Sequence, residues 1–228
     1  MIPWQELSRV NVPGEKTPLV LAQRGSEFVI RVGTVALMSS RAHGSEEVLA
    51  ENACAGLRER PGARVLVGGL GMGFTLAATL RALAPTAEVV VAELVPAIVD
   101  WNRGALAALA GRPLEDPRVA LHGGDVADVI NASREAFDAI LLDVDNGPDG
   151  LARPANQRLY EAAGLDAARR ALRPGGVFGV WSVAPDPAFT RRLVASGFHV
   201  EEHTVRARRT RGGRHTLWIA RAGAAWRS

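Results

Sequence analysis

The sequence predicts an α/β protein built on a doubly wound, mostly parallel sheet, with an antiparallel hairpin at its carboxyl end and a small β element before it. Three observations predict this. Short apolar runs alternate with helical patterns from Arg64 to Ser182. Those runs, VLV at 65–67 and AILL at 139–142 among them, are continuous rather than alternating, as strands buried on both faces of a parallel sheet require. The first of them breaks into Gly68, Gly69, Gly71 and Gly73 before a helical pattern resumes. A strand that turns sharply into a helix beside a ligand needs glycines there, for positive φ and for close approach to the main chain.

Each element follows in turn. Residues Met1 to Pro18 read as an irregular leader rich in turn formers. LVLAQRG, EFVIRV and TVALMSS then read as strands joined by turns at 24–27 and 32–34, a small antiparallel element. Ser45 is placed to cap a helix with Glu46 and Glu47 in its first turn and an apolar face through Val48, Leu49, Ala53 and Leu57. The alternating series follows: strand RVLVGG, helix 73–83, strand EVVVAE, helix 96–110, strand RVALHGGD and a short helix 125–130. Strand DAILLDVD, helix 159–172, strand GVFGVWS and a helix near 188–195 complete it. FHVEEHTVRAR and RHTLWIARA, joined at Gly212-Gly213, read as an antiparallel hairpin. The division expected is a β element over residues 1–44 and a ligand-binding domain over 45–228.

Bulk properties exclude several classes. The 228 residues suit one large α/β domain with a small appendage. There is no apolar run of about 18 residues to span a bilayer, and MIPWQELSRV lacks the character of a signal peptide, so a cytoplasmic protein with no membrane partner is expected. Cys54 is the single cysteine, which rules out an intramolecular disulfide and reads as a buried structural thiol. Net charge is +3, with Lys16 the only lysine. The basic run RARRTRGGR at 206–214 has no interleaved aromatics to stack on bases, so it reads as a solvated hairpin tip and nucleic acid is not expected as a partner.

The chemistry concentrates at strand ends, where open parallel sheets bind ligands. Glu93 closes the second strand of the series, placed behind the glycine turn to accept hydrogen bonds from ribose hydroxyls. Asp125 follows the third strand, where it can cap its helix and also hold an adenine amino group. Asp143 ends the fourth. Leu94 and Val126, next to these acids, join Gly68, Gly69, Gly71, Gly73, Glu93, Asp125 and Asp143 as the candidate nucleoside-binding set. A dinucleotide reading shares the turn and Glu93, but the spacing here is G-x-G-x-G, with Phe74 where the dinucleotide fingerprint has its third glycine. DVDNGPDG is no calcium loop, since Pro148 stands at its sixth position and Pro154 at its twelfth. His43, His122, His199, His203 and His215 show no metal-ligand spacing, G-x-S-x-G is absent, and no metal is expected.

On VLVGGLGMG, VVVAELVPAIVDWNR, DPRVALHGGD and FDAILLDVDNGP, the sequence resembles the class I S-adenosylmethionine-dependent transferases, and within them the spermidine synthase group of aminopropyltransferases. The likeness runs from about Val35 to Ala220. It implies a seven-stranded Rossmann-like methyltransferase fold and a cofactor that is S-adenosylmethionine or its decarboxylated form. It also implies that Glu93 and Asp125 bind ribose and adenine, and that Asp143 lies beside the sulfonium as the catalytic acid. The amino-terminal β element resembles one that mediates dimers in that group, which implies a homodimer.

Two departures bear on the acceptor. That group carries D-x-x-D where this chain has Asp143 followed by Asn146, and an amide cannot take a proton. It also presents Tyr-His-Glu or Tyr-Gln-Glu at the start of the first helix, where this chain has Ser45-Glu46-Glu47. The leading expectation is therefore methyl transfer to a small molecule, an amine included, with Asp145, Asn146, Asp149, Tyr160 and Trp181 on the acceptor side. The alternatives are aminopropyl transfer to a polyamine, with Asp145 or Asp149 replacing the missing acid, and a non-catalytic nucleoside-binding protein.

Overall fold

The computed structural model describes residues 2–12, 17–144, 147–148 and 154–223. Strands β1 (Gln5–Val10), β2 (Leu19–Arg24), β3 (Glu27–Val32) and β4 (Val35–Ser39) form a four-stranded antiparallel sheet in that order. The leader was expected to be irregular, but its residues 5–10 pair with β2 along a register broken once, between Glu6 and Ser8. The strand escapes the usual sequence signal because it is an edge strand whose side chains are all exposed or only partly covered, so no alternation of apolar residues marks it.

Helix α1 (Gly44–Ala53) leads into the second sheet. Its elements are β5 (Arg64–Gly68), α2 (Phe74–Ala82), β6 (Glu88–Glu93), α3 (Pro96–Arg103), β7 (Val119–Gly123), α4 (Val126–Asn131) and β8 (Phe137–Leu142). They continue with a 3-10 segment at Pro154–Leu159, α5 (Ala162–Ala171), β9 (Leu172–Ser182), α6 (Pro187–Ala195), β10 (Phe198–Arg206) and β11 (Arg214–Ala222). The seven strands lie in the order β10-β11-β9-β8-β5-β6-β7. β5, β6, β7, β8 and β9 run parallel, whereas β11 is antiparallel to both β9 and β10.

Side-chain alternation along the buried strands divides the core into two layers. Val65, Val67, Val89, Val91, Ala139 and Leu141 face Leu49, Leu76 and Ile98 of α1, α2 and α3 on one side. Leu66, Val90, Ile140, Leu142 and Phe178 face Ile130, Leu165 and Phe189 of α4, α5 and α6 on the other. Leu19, Leu21, Phe28 and Ile30 of the small sheet belong to the first of these layers.

Three local expectations are corrected. Ser45 does not cap α1: His43 is the capping position, the amide of Gly44 donates to the Ala207 carbonyl at 2.8 Å, and the Ser45 side chain is turned to other partners. The hydrogen-bonded strands of the terminal hairpin stop at Arg206 and resume at Arg214, so its turn is longer than Gly212-Gly213. Nor is its basic tip merely solvated. Arg209 is paired with Glu47 and Glu51 of α1, and a Cβ on Gly44 would lie 2.6 Å from the Arg209 backbone nitrogen.

Candidate active site

β5 is followed by β6 on one side and β8 on the other, so the chain reverses its direction of sheet building at the carboxyl end of β5. Such a switch point leaves a crevice where ligands bind. The glycine turn, Glu93, Asp125 and Asp143 all stand at this edge, as the sequence predicted.

The turn owes its glycines to protein contacts as well as to backbone freedom. Gly69 has φ 85°, and a Cβ there would collide with the Asp143 carbonyl oxygen. A Cβ on Gly68 would lie 2.8 Å from Leu142 and 2.9 Å from Val126, which is buried. Small residues thus let the ends of β5 and β8 draw together: the Asp143 amide donates to the Gly68 carbonyl at 2.9 Å. Close packing of protein on protein is thus a reason for glycine at both positions, beside the ligand approach that sequence alone suggests.

Glu93 is buried and fastens the turn to β6. Its Oε2 accepts from the Leu70 amide at 2.9 Å and its Oε1 from the Val95 amide at 2.8 Å. Leu94, between them, is 45% exposed, so its side chain is available to a ligand rather than to the core. Asn102 completes the fastening by donating to the carbonyls of Gly71 and Ile98.

Asp125 does cap α4, accepting from the Ala127 amide at 2.8 Å through Oδ1. Its Oδ2 is paired with Arg158, whose side chain is largely exposed. Sequence reasoning missed Arg158, which sits 33 residues away with no motif around it.

At the end of β8, Asp143 accepts a 2.6 Å hydrogen bond through Oδ2 from the hydroxyl of Thr75, in the first turn of α2. Desolvation pushes the Asp143 carboxyl up to about 6, and the Thr75 hydrogen bond acts against that rise. Glu46, in the first turn of α1, is near enough to feel that charge. Desolvation first and Asp143 second push Glu46 up to about 8, while a hydrogen bond from Ser45 acts the other way. Carboxyl groups that interact in this way titrate as a pair rather than singly.

Ser45 is fully buried and forms the hub beside this pair. Its Oγ lies 2.7 Å from Glu46 Oε2 and 2.8 Å from His215 Nδ1, and it accepts from the Trp181 indole at 3.0 Å. Trp181 is itself buried and meets the His215 ring edge-on at 4.6 Å, so it builds the wall of the cluster. Burial holds His215 below the usual imidazole range.

The remaining acceptor-side expectations fare differently. Tyr160 is buried, with its ring edge-on to Phe189 at 5.6 Å, and stands in the core layer of α5 and α6. Asp145, Asn146 and Asp149 lie outside the described residues. Among the described residues no group of three or more His, Cys, Asp or Glu is arranged to hold a metal ion, and no helix is long and apolar enough to cross a membrane.

The chemistry of the residues present suits an adenosyl ligand. A buried carboxylate stands at the end of β6, a partly buried one at the end of β8, and a third at the start of α4. Hydroxyls, an exocyclic amine and a positive centre are the groups such acceptors would meet.

Known proteins resemble this chain in sequence and in fold. The spermine/spermidine synthase domain model matches residues 52–196. Putrescine N-methyltransferase 2 of Nicotiana tabacum is 40% identical over 116 residues, which is 50% of this chain and 31% of that protein. The polyamine aminopropyltransferase of Nitrosomonas europaea is 38% identical over 136 residues, 58% of this chain and 40% of that one. The matched part thus spans less than half the length of these relatives. Spermidine synthase from Thermotoga maritima superimposes with a TM-score of 0.74 at 17% identity, over 96% of this chain and 73% of that one, which shows the shared fold.

Proposed function

Because the chain belongs to the spermine/spermidine synthase domain family, we propose that it is a group transferase whose donor is S-adenosylmethionine or its decarboxylated form and whose acceptor is a small amine. The observation that carries the reading is the alignment of Glu93, Asp125 and Asp143 along one sheet edge beside the glycine turn. Glu93 would take the ribose hydroxyls, Asp125 the adenine amino group, and Asp143 would act next to the sulfonium. The bound donor supplies an already activated leaving group, so the protein's task is to hold the acceptor in line and receive its proton. Residues 45–228 would form the catalytic domain, with residues 1–44 as a β element against it.

Methyl transfer is the first form of the proposal. It is supported by Asn146 in place of an acid and by the likeness to proteins named putrescine N-methyltransferase. Aminopropyl transfer is the second, supported by the likeness to proteins named polyamine aminopropyltransferase. Incubation of the protein with putrescine and each donor separately decides between them. S-adenosylhomocysteine as product identifies methyl transfer, and 5′-methylthioadenosine identifies aminopropyl transfer. Absence of both products across a broad panel of amine acceptors, together with tight nucleoside binding, overturns both in favour of a binding protein.

A further inference from the structure

We infer that Glu46 is the acceptor-side acid of this site, sharing with Asp143 the handling of the amine's proton, and that Ser45 and His215 are the positioning residues that hold its carboxyl. This rests on the transferase reading above and names how that site recognises its acceptor. Neither role follows from the resemblance, in which position 46 is not an acid.

Placement comes first. Leu49 and Ala53 of α1 pack against Gly179 of β9, where a Cβ would lie 3.1 and 3.2 Å from them, and Ser45, one turn earlier, reaches Trp181 two residues further along the same strand. α1 therefore runs antiparallel to β9, and its first turn delivers Glu46 to the carboxyl edge, where Asp143 ends the neighbouring β8.

Charge comes second. Glu47, the adjacent residue, is answered by Arg81 and Arg209. Among the described residues no cation pairs with Glu46, which instead has a hydroxyl partner and the Asp143 carboxylate for a neighbour. A carboxyl pair left, among the described residues, without a counter-ion at the carboxyl edge of the sheet is complementary to an ammonium group. Glu46 thus supplies, from the first helix, the second acid that position 146 lacks.

The hydrogen-bond inventory of Ser45 explains how Glu46 is held. The hydroxyl has one proton and two lone pairs, and the Trp181 indole takes one lone pair. One donation and one acceptance remain for Glu46 and His215. If Glu46 is ionised, Ser45 donates to it and receives from the imidazole; if Glu46 is protonated, both bonds reverse. Ser45 and His215 therefore accommodate either state of Glu46 without loss of a bond.

The reaction balances. The acceptor ammonium loses one proton to the carboxyl pair. The nitrogen lone pair forms the new N–C bond, the C–S bond breaks with its electrons remaining on sulfur, and the product amine keeps the positive charge. One proton per turnover is left on the pair and passes to solvent.

The test uses protein labelled with ¹³C at the glutamate carboxyl, loaded with S-adenosylhomocysteine and titrated by NMR with and without putrescine. One signal, missing in Glu46→Gln, is expected to titrate near about 8 and to move down by at least one pH unit when putrescine binds, because a bound cation favours the ionised form. Ser45→Ala and His215→Phe should each displace that midpoint while unfolding stays cooperative, with the effect on turnover seen mainly in the pH profile. A Glu46 signal in the ordinary carboxylate range, or one that neither putrescine nor spermidine moves, overturns the inference. Failure of the unvaried protein to bind either S-adenosylhomocysteine or 5′-methylthioadenosine overturns the transferase reading itself, and the inference with it.

Discussion

The hydroxyl of Thr75 donates to Oδ2 of Asp143 across the gap between α2 and the end of β8, at 2.6 Å. It favours the ionised carboxylate against desolvation, and the balance of the two leaves Asp143 raised to about 6. Hydrogen bonds to charged groups contribute about 1.5–3 kcal/mol, so Thr75→Val should raise Asp143 by about one pH unit or more. The acid limb of the pH–rate profile should move to higher pH by the same amount. An unmoved limb would mean that Asp143 is not the group whose ionisation the rate reports.

Glu93→Gln replaces one acceptor oxygen by an NH2 group facing either the Leu70 or the Val95 amide. One buried backbone donor is left without its acceptor, which should cost about 1–3 kcal/mol in stability. Affinity for S-adenosylhomocysteine should fall at least tenfold by calorimetry. Asp143→Asn, by contrast, should keep nucleoside affinity and lose turnover, so the two variants separate binding from chemistry.

Gly69→Ala should destabilise the fold by about 2–3 kcal/mol or more, because a β-carbon is strained at positive φ and here also meets the Asp143 carbonyl. Urea unfolding measures it. A change below about 0.5 kcal/mol would show that the β5 and β8 ends are free to separate.

Asp125→Asn retains an oxygen to cap α4 but turns an amide donor toward Arg158 and toward the proposed adenine amino group. Asp125→Ala removes the cap as well, at about 0.5–2 kcal/mol. Stability should therefore fall for the alanine variant and stay nearly unchanged for the asparagine one, while nucleoside affinity falls in both. Equal affinity in the asparagine variant and the parent would remove Asp125 from the adenine site.

The pH dependence of stability follows from Glu46. Its carboxyl is raised from an ordinary 4.5 to about 8 in the fold, so the unfolded chain gives up its proton more readily. The stabilising contribution is complete below about 4.5 and is lost as pH rises through about 8. The thermal midpoint of the parent protein should fall over that window more steeply than that of Glu46→Gln. Parallel curves would contradict the placement of Glu46 beside Asp143.

Much of the fold is legible in the sequence because burial on both faces imposes long apolar runs. The strands at 65–67 and 139–142 could be placed from that signal alone, and with them the glycine turn and the three acids at the strand ends. β1 was invisible because an edge strand on a small sheet has no such run. Ser45 was assigned a local role as a cap, whereas its partners Trp181 and His215 come from 136 and 170 residues away. The pairs Thr75–Asp143 and Arg158–Asp125 were missed for the same reason: periodicity reports which face a residue occupies, not which distant side chain meets it there.

The seat of β11 between β10 and β9 bears on how the protein is made. β10 emerges from synthesis before the strand that joins it to the sheet, and it lacks its native partner until β11 follows. The same late strand brings His215 to Ser45, and the loop before it brings Arg209 to α1. The contacts that Ser45 makes with His215 and α1 with Arg209 thus depend on the last described strand of the sheet, which lies in its interior, and on the loop before it.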